Sequence, residues 1–320
     1  MPKVSIIIPV YNVEPSYIND AINSALNQTL DDIEIIVVND GSTDIRTLEY
    51  LKTVNNPKIK LINQENKGLG GARNTGISNA TGDFIGFLDS DDWLDKNFYE
   101  VLYNLCIDNN ADIACGTLTR VGSDYKSAVD KFDNRVVNNF IEKMHYVNNG
   151  STCSKLFNKK LFVKTRYKEK IYYEDNPVLV ELFANSGNVV FTNTVNYYYR
   201  ENPKSICLNP EISYKRNNDK LLILQDICEI IKNKSQEEKD VVLKIFTPIL
   251  VDKKFYKQPN VKAEVNKILG RNYKKYLIFP NKNSFLENIF SLKNSDDKRH
   301  KIITVLGIKF KIRRKPKNHA

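Results

Sequence analysis

The chain has 320 residues, 41% of them hydrophobic, and a formal net charge of +10 at neutral pH. This composition suffices for a sizeable core in two domains, or in one large domain with an appendage. No apolar run approaches the roughly 20 residues that cross a bilayer. Of the 48 Lys and Arg residues, nine lie between Lys298 and the C-terminus, where there is no Asp or Glu, so 39 basic residues face 38 acidic ones elsewhere. A nearly neutral body argues against nucleic-acid binding across its surface.

The N-terminus and the cysteines predict a cytoplasmic protein. The opening MPKVSIIIPVYN has one Lys and a very short apolar run that ends at a Pro, which is typical of a first strand and not of a signal peptide. The five cysteines form no CxxC pair, and the three histidines are far apart. We therefore expect reduced core thiols and no zinc site.

Strands and helices alternate through the first 120 residues. Apolar, largely β-branched runs predict strands at Lys3–Val10, Ile33–Val38, Lys58–Ile62, Phe84–Leu88 and Asp112–Leu118. Helical spacing and capping residues predict helices at Tyr17–Leu26, Ile45–Val54, Gly68–Ala80 and Asp95–Asn109. This alternation indicates an α/β fold with a doubly wound, mostly parallel sheet.

After about Val121 the alternation stops. We predict helices at Phe140–Asn148 and Asn176–Asn185, a strand at Val189–Arg200, and then helices at Tyr214–Lys232, Gln236–Phe255, Val261–Tyr276 and Ser284–Leu292. The segment KIITVLGIKFKIRRK, Lys301–Lys315, alternates apolar and basic residues after Gly307, which favours a short hairpin or an edge strand with one basic face.

Three carboxylates, Asp89, Asp91 and Asp92, follow the predicted strand Phe84–Leu88. A buried strand of an α/β sheet delivers such groups into the crevice at its carboxyl end, where ligands bind. Carboxylates at i and i+2 can share one Mg²⁺ or Mn²⁺, whose shell substrate phosphates and water complete. The alternative is a solvated acidic turn before a helix that begins near Asp95.

The second strand ends in Asn39-Asp40-Gly41, at the same predicted rim. A carboxylate beside Gly41 can accept hydrogen bonds from a base or a ribose hydroxyl, and glycine permits close backbone approach. The alternative is an ordinary turn with Thr43 or Asp44 capping the next helix.

Two further clusters carry charged groups. The glycines of Gly68–Gly76 could let a helix N-terminus approach an anion, while Arg73 binds a phosphate, braces the carboxylates or lies on a solvent-facing helix surface. Glu174 and Asp175 open a predicted helix, where one of them could be a general base or both could favour the helix N-terminus.

Together these segments resemble the family 2 glycosyltransferases of GT-A fold. The resemblance is carried by SIIIPVYNVE, EIIVVNDGSTD and NKGLGGARNTGISNATGDFIGFLDSDDW in this order and spacing, over roughly residues 1–120. Downstream, STCSKLFNKKLF, the YEDN stretch and YYYRENPKSI resemble the acceptor half of bacterial members that build surface polysaccharide, lipopolysaccharide or capsule.

The resemblance implies a Rossmann-like, mixed and mostly parallel sheet with flanking helices and a mostly helical C-terminal region. We expect a catalytic domain over residues 1–211, with a nucleotide-sugar half over 1–120 and an acceptor half over 121–211. A helical region over 212–297 and a basic amphipathic tail over 298–320 would follow.

The resemblance also implies residue roles. Asp175 would be the catalytic base, with Glu174 as runner-up, and Asp91 with Asp89 would hold Mn²⁺ or Mg²⁺. Trp93 and Asp92 would contact the sugar or acceptor. The remaining residues expected to bind the nucleotide sugar are Pro9, Tyr11, Glu14, Asp40, Gly41, Arg73, Asp89 and Ser90.

Two positions depart from the family pattern. Asn39 stands where many relatives carry Asp, but the base-binding role belongs to the second residue of that pair, Asp40. The third metal ligand is often a downstream His, and none of the three histidines matches, so water and the diphosphate would complete the metal shell.

The implied reaction is an inverting transfer of a hexose or N-acetylhexosamine from a nucleoside-diphosphate sugar, with UDP the preferred nucleotide, to a hydroxyl of a glycan or lipid-linked glycan. Two rivals are a non-catalytic nucleotide-sugar or lipid-binding protein and a haloacid-dehalogenase-type phosphatase. Such phosphatases normally carry Thr or Val where Trp93 stands.

The basic tail has two interpretations. Residues 298–317 could attract an anionic membrane surface, at about 1 kcal/mol per Lys or Arg, which would place the enzyme on the inner face of the cytoplasmic membrane. Alternatively, the segment is a solvated terminus or a strand docked on the helical region. That helical region could also serve as a homodimer interface.

Overall fold

The computed structural model describes residues 2–122, 133–147, 151–202, 216–251, 253–270 and 273–277, together with the backbone alone of 126–128, 213–215, 290–294, 300–305 and 308–313. All predicted elements of the first 120 residues are present. They are β1 (Val4–Val10), α1 (Pro15–Leu26), β2 (Ile33–Asp40), α2 (Ile45–Thr53), β3 (Ile59–Gln64), α3 (Gly68–Asn79), β4 (Phe84–Phe87), β5 (Trp93–Leu94), α4 (Phe98–Asp108) and β6 (Ala111–Val121).

The next eighty residues add shorter elements. They are β7 (Lys126–Ala128), β8 (Arg135–Val137), α5 (Phe140–His145), β9 (Lys155–Asn158), a 3-10 turn (Lys159–Phe162), α6 (Asp175–Asn185) and β10 (Asn188–Arg200). The sequence did not predict β5, β7, β8 or β9, which are two to four residues long and therefore carry too little periodicity to detect.

One mixed sheet organises this part of the molecule. Its main strand order is β3-β2-β1-β4-β9-β6-β10-β5. The first four strands are parallel, β9 runs antiparallel between β4 and β6, and β10 returns parallel to β6. Since β1, β2 and β4 are parallel, their carboxyl ends lie on one edge, as the sequence predicts.

The centre of the sheet is buried on both faces. Every residue of β1 is buried, and Ile6, Ile7 and Ile8 have no exposed surface. Helix α3 packs closely against β1 at Gly76. Only glycine fits there, because a Cβ would lie 2.3 Å from Ile7 Cγ2. This packing fixes the helix that carries Arg73 over the end of the parallel strands.

The helical region contains α7 (Ser213–Ile230), α8 (Gln236–Leu250), α9 (Lys253–Tyr256) and α10 (Pro259–Leu269). One helix was predicted over Gln236–Phe255, but the structure has two. Helix α10 ends before the predicted Tyr276 because Gly270 has φ +69°, a left-handed conformation that stops a helix. Ile223 and Leu224 of α7 belong to the same buried cluster as the sheet residues, so α7 packs into the hydrophobic core of the sheet.

The C-terminal strands form an antiparallel sheet of their own. It consists of β11 (Phe290–Asn294), β12 (His300–Val305) and β13 (Ile308–Arg313), in that order. The predicted hairpin is therefore confirmed. The predicted helix Ser284–Leu292 is wrong at its end, since Phe290–Leu292 pair with Ile303–Val305, and residues 284–289 lie outside the described residues. Within the described parts of the chain, no helix is both long and apolar enough to span a membrane.

Candidate active site

The turn after β2 holds Asp40 with neutral donors. Asp40 is 2% exposed, and its Oδ1 accepts hydrogen bonds from Gln64 Nε2 at 2.7 Å and from the Lys67 N–H at 2.8 Å. Gly41 has φ +70°, and a Cβ there would lie 2.7 Å from the Asn66 nitrogen. Only glycine allows this approach, which fixes the Asp40 carboxylate at the rim.

Asn39 stabilises the same turn without charge. Its Nδ2 donates to Asn63 Oδ1 at 2.9 Å, and its Oδ1 accepts from the Ser42 N–H at 3.1 Å. An Asp could not donate the first of these bonds. The departure at Asn39 therefore fits a structural role and leaves Asp40 in place.

The turn after β1 is built on Asn12, which the sequence analysis did not select. Asn12 has φ +51°, and its Oδ1 accepts from the Thr43 and Asp44 N–H groups at 2.7 and 2.9 Å. These bonds join the ends of β1 and β2. Asn tolerates the left-handed conformation and its side chain bonds nearby backbone groups, so an Asn directly after a predicted strand is the sequence feature that indicates this turn.

The other residues predicted at this rim differ in exposure. Tyr11 is 48% exposed, whereas Pro9 is buried within β1. Glu14 forms an ion pair with Arg46 at 3.2 Å. Asp44 caps α2 by accepting from the Arg46 N–H, as the alternative interpretation of this turn predicts.

Arg73 is the centre of the charged part of the site. Its side chain is 1% exposed and projects from α3, where Nη1 lies 2.9 Å from Glu174 Oε1 and 2.5 Å from Asp175 Oδ1. Its Nη2 lies 3.0 Å from Asp89 Oδ1. Arg73 therefore braces carboxylates from two elements, and it does not lie on a solvent-facing helix surface.

The glycines of α3 serve packing. A Cβ at Gly70 would lie 2.3 Å from the Lys168 carbonyl oxygen, and Gly68 has φ +76° beside Lys170. These contacts bring α3 against the loop that precedes α6. They give the glycines a role other than the predicted approach of a helix N-terminus to an anion.

Asp175 is the first residue of α6, after Glu174. The Thr152 N–H bonds Asp175 Oδ2 and the Thr152 hydroxyl bonds Oδ1, both at 3.3 Å. Glu174 occupies the N-cap position of α6, but its side chain makes no capping hydrogen bond. The Asp175 side chain is 17% exposed and that of Glu174 8%, which leaves Asp175 the more accessible of the two.

Burial raises the pKa of both carboxyl groups, so that they are weaker acids than usual. The pKa of Glu174 is raised to about 8 by burial and then by the nearby charge of Asp175, while Arg73 opposes the rise. Burial also raises the pKa of Asp175, again against Arg73, and Asp89 adds to the rise. One guanidinium thus faces three carboxylates, which is the environment that raises the pKa of a general base toward neutrality.

The turn after β4 is anchored by the end of β10. Tyr197 OH donates to Asp92 Oδ2 at 2.6 Å and accepts from the Asp89 N–H at 3.1 Å. Asp92 Oδ1 accepts from the Arg200 N–H at 2.8 Å, and Asp92 is 1% exposed. Both Asp92 carboxylate oxygens therefore bond protein groups and hold the turn, and the contact of Asp92 with sugar or acceptor stays a prediction.

Ser90 lies in this turn, and Trp93 begins β5 directly after it. The Trp93 ring stacks on Tyr198 at 5.4 Å between centroids, and the Arg200 guanidinium lies 4.6 Å from its centre. Ser90 is 5% exposed. Protein groups already pack on the Trp93 ring, and its contact with sugar or acceptor stays a prediction.

The turn has an excess of negative charge. The pKa of Asp91 is raised by burial and by Asp89, and that of Asp92 is raised well above its usual value by burial and by Asp91. Arg200 Nη2 is directed to Asp20. Among the described residues no three His, Cys, Asp or Glu side chains form a metal-binding group. Two carboxylates, Asp89 and Asp91, are the oxygen donors that a hard divalent cation accepts in a site completed by phosphate and water.

Comparison with known proteins identifies the fold. The chain superimposes on a crystal structure of Staphylococcus aureus TarS residues 1–349 in complex with UDP-GlcNAc, with a TM-score of 0.62 over 97% of this chain and 99% of that one. At 18% sequence identity this likeness shows the fold alone. The sheet and its flanking helices have the GT-A architecture.

Sequence relatives are bacterial glycosyltransferases. The chain is 36% identical over 236 residues to the uncharacterised glycosyltransferase EpsJ of Bacillus subtilis, covering 69% of this chain and 67% of EpsJ. It is 34% identical over 215 residues to glycosyltransferase GlyA of Streptococcus pneumoniae, covering 62% of this chain but 30% of GlyA. The family model of glycosyl transferase family 2 matches residues 5–164, half of the chain. The chain belongs to glycosyl transferase family 2.

Proposed function

We propose that this glycosyltransferase transfers a hexose or N-acetylhexosamine from a UDP-sugar to a hydroxyl of a glycan or lipid-linked glycan, with inversion, in the synthesis of a bacterial surface polysaccharide. The observation that carries the proposal is the Arg73 cluster. It places Asp89, at the end of a donor-side strand, and Asp175, on the opposite segment, on one guanidinium. This would bring the sugar end of the donor and the acceptor hydroxyl to one point, as direct transfer requires.

The β1 and β2 ends would bind the nucleoside. Asp40 is already fixed through Oδ1 by Gln64 and Lys67, so Oδ2 would accept from the base. Tyr11 has an exposed ring at the same edge, suited to pack on a base or ribose. The preference for UDP rests on the family resemblance and on the UDP-GlcNAc complex of TarS.

Asp91 and Asp89 would hold Mn²⁺ or Mg²⁺. When bound, the ion would neutralise charge on the diphosphate leaving group. A cation would stabilise the ionised form of Asp91, because burial and Asp89 raise its pKa more than Asn202 and Arg200 lower it. Tyr197 and Asp92 would keep the turn in the geometry that presents both carboxylates.

Asp175 would act as the base. It would take the proton of the acceptor hydroxyl as that oxygen bonds the sugar C1 and the C1–O bond to the diphosphate breaks, so that the nucleoside diphosphate leaves. Thr152 orients the carboxylate, and Arg73 stabilises its charge. A single displacement inverts C1 and needs no nucleophilic carboxylate, in contrast to retaining glycosidases.

The test is nucleotide release from a panel of UDP-, GDP- and dTDP-sugars, with Mn²⁺ or EDTA. We expect slow metal-dependent release of UDP that is abolished by Asp91→Ala. The matched control is Asp83→Ala, an exposed acid at the opposite end of β4. Phosphate release from a phosphomonoester would support the phosphatase instead. Nucleotide binding without turnover of any donor or acceptor would support a binding-only protein.

The C-terminal sheet offers a surface for membrane association. Residues that pair directly share one face of a sheet. The register pairs Lys309, Lys311 and Arg313 with Thr304, Ile302 and His300, which collects basic positions on one face. Ile308 and Phe310 pair with Val305 and Ile303, on the other face. We propose that the basic face meets anionic lipid headgroups.

Sedimentation with vesicles of about 30% phosphatidylserine tests this proposal. Replacing Lys309, Lys311 and Arg313 by Gln should weaken binding on the order of 100-fold, at about 1 kcal/mol per residue. Replacing the exposed Lys253, Lys257 and Lys262 by Gln removes the same charge elsewhere and should have little effect. Equal losses would exclude a specific face. A cytoplasmic location and a homodimer through the helical region also remain proposals, and sedimentation velocity measures the second.

A further inference from the structure

The segment that leads into the base is held in a strained conformation. Lys170 has φ +55° and Tyr173 has φ +65°, the left-handed region that a bulky residue such as Tyr rarely adopts. Glu174 and Asp175 follow Tyr173 directly. Strain of this kind persists only where the surroundings hold it, and it clusters at functional sites.

One side of the segment is held by α3. The Asn74 side chain donates to the Tyr167 carbonyl at 2.8 Å and accepts from the Tyr167 N–H at 2.9 Å. The Lys170 N–H donates to the Lys67 carbonyl at 3.0 Å. These bonds fix the beginning of the segment, but they end three residues before Tyr173.

The other side is held by α7. Asp219 is 8% exposed, and its Oδ2 accepts from the Tyr172 N–H at 2.9 Å. This bond fixes the residue before Tyr173. After it, the Tyr173 carbonyl accepts from the Asn176 N–H at 3.1 Å, within the first turn of α6. Tyr173 is therefore fixed on both sides, and its rotation away from positive φ would require one of these bonds to break.

We propose that Asp219 is a positioning residue for the catalytic base. Its carboxylate keeps Tyr173 in the left-handed conformation, and this conformation directs Glu174 and Asp175 toward Arg73. The role as a positioning residue rests on the proposed function, because it takes Asp175 as the base. The geometric part, that Asp219 fixes the segment, does not depend on that function.

The region after residue 212 would thereby help to position the base. The family model matches residues 5–164, and α7 lies beyond it without a motif of its own. Yet α7 packs on α6 and bonds the segment that carries the base. The helical region is thus part of the machinery that presents the base.

The experiment compares Asp219→Ala and Asp219→Asn with the unaltered full chain. Asn keeps a carbonyl oxygen that can accept the Tyr172 N–H, whereas Ala keeps none. The matched control is Glu229→Ala, on the same helix, where the Glu229 side chain is 70% exposed and pairs with Lys232. Hydrogen exchange of the peptide over residues 167–176 is measured first.

We expect Asp219→Ala to speed exchange at Tyr172–Asn176 by about tenfold or more, because the segment opens locally. Asp219→Asn and Glu229→Ala should exchange like the unaltered chain. Exchange of β1 and β4 peptides should stay constant in all variants, which shows that the fold is intact. Unchanged exchange in Asp219→Ala, or equal effects in Ala and Asn, would overturn the proposal.

Kinetics then test the positioning role, with UDP calorimetry and release of UDP from UDP-N-acetylglucosamine or UDP-glucose. Asp219→Ala should lower kcat by about 10- to 100-fold, with the KM for donor and the UDP Kd unchanged. Asp219→Asn should restore kcat. A wild-type chain that neither binds UDP nor turns over donor contradicts the proposed function, and the exchange experiment then still decides whether Asp219 fixes the segment. Faster exchange with unchanged kcat would refute the positioning role alone.

Discussion

The turn at Asp40 and the cluster at Arg73 are built on different physical principles. Asp40 is held by an amide and a backbone N–H from residues 24 and 27 positions away. Arg73 holds three carboxylates, two of which lie 101 and 102 positions away. The first arrangement places a carboxylate by neutral hydrogen bonds, and the second concentrates like charges around one cation. Nucleotide binding should therefore be separable from the chemistry of transfer.

The largest expected effect is that of Asp175→Asn. Asn keeps the shape and an acceptor oxygen for Arg73 but cannot take a proton, so kcat should fall about 10²- to 10⁴-fold. Calorimetric binding of UDP should be retained, because Asp40 lies in the other region. Loss of UDP binding in this variant would show that the two regions are not separable.

Removing the Arg73 guanidinium should destabilise the fold more than removing the exposed Arg46 guanidinium. Arg73→Met leaves the largely buried carboxylate of Asp175, together with that of Asp89, without its cation, which should cost about 3–5 kcal/mol. Urea unfolding at neutral pH measures this loss. The control is Arg46→Met, because the Arg46 side chain is 55% exposed beside Asp44 and Glu14 and its loss should cost much less. Similar losses in the two variants would contradict a central role for the Arg73 cluster.

A smaller effect is expected from Asp40→Asn. The amide oxygen can still accept from Gln64 and Lys67, but the NH₂ group that replaces Oδ2 cannot accept from a base. The Kd for UDP should rise about tenfold, or 1.4 kcal/mol, with kcat at saturating donor nearly unchanged. A fall in kcat without a change in Kd would place Asp40 with the chemistry instead.

The last expected effect is a change in how the stability of the fold depends on pH. The pKa of Glu174 is raised from 4.5 to about 8 in the folded protein, by burial first and then by Asp175. Between these values the folded chain keeps a proton that the unfolded chain has released, so stability declines as pH rises. Glu174→Gln cannot ionise and should lose less stability between about pH 5 and about pH 9 in urea titrations. Parallel pH profiles would show that Glu174 is not protonated in the fold.

Part of the site was predictable because strand ends follow from local pattern. The apolar runs that end at Asp40 and Asp89 predict parallel strands, and parallel strands bring their carboxyl ends to one edge. Glycine beside Asp40 and paired carboxylates at Asp89 and Asp91 are likewise chemical signals that sequence alone carries. The same holds for the hairpin in the tail, since its period-2 alternation needs no distant partner.

The tertiary structure decided which distant groups meet. The sequence left Arg73 with three possible roles, and only the packing of α3 against the segment before α6 brings it to Glu174 and Asp175. The sequence does not show that Tyr197 of β10 bonds Asp92, and Asp219 carries no signal in the sequence. Side-chain pattern records burial and turn chemistry within a few residues, whereas the partner of a buried charge depends on how segments 100 residues apart pack together.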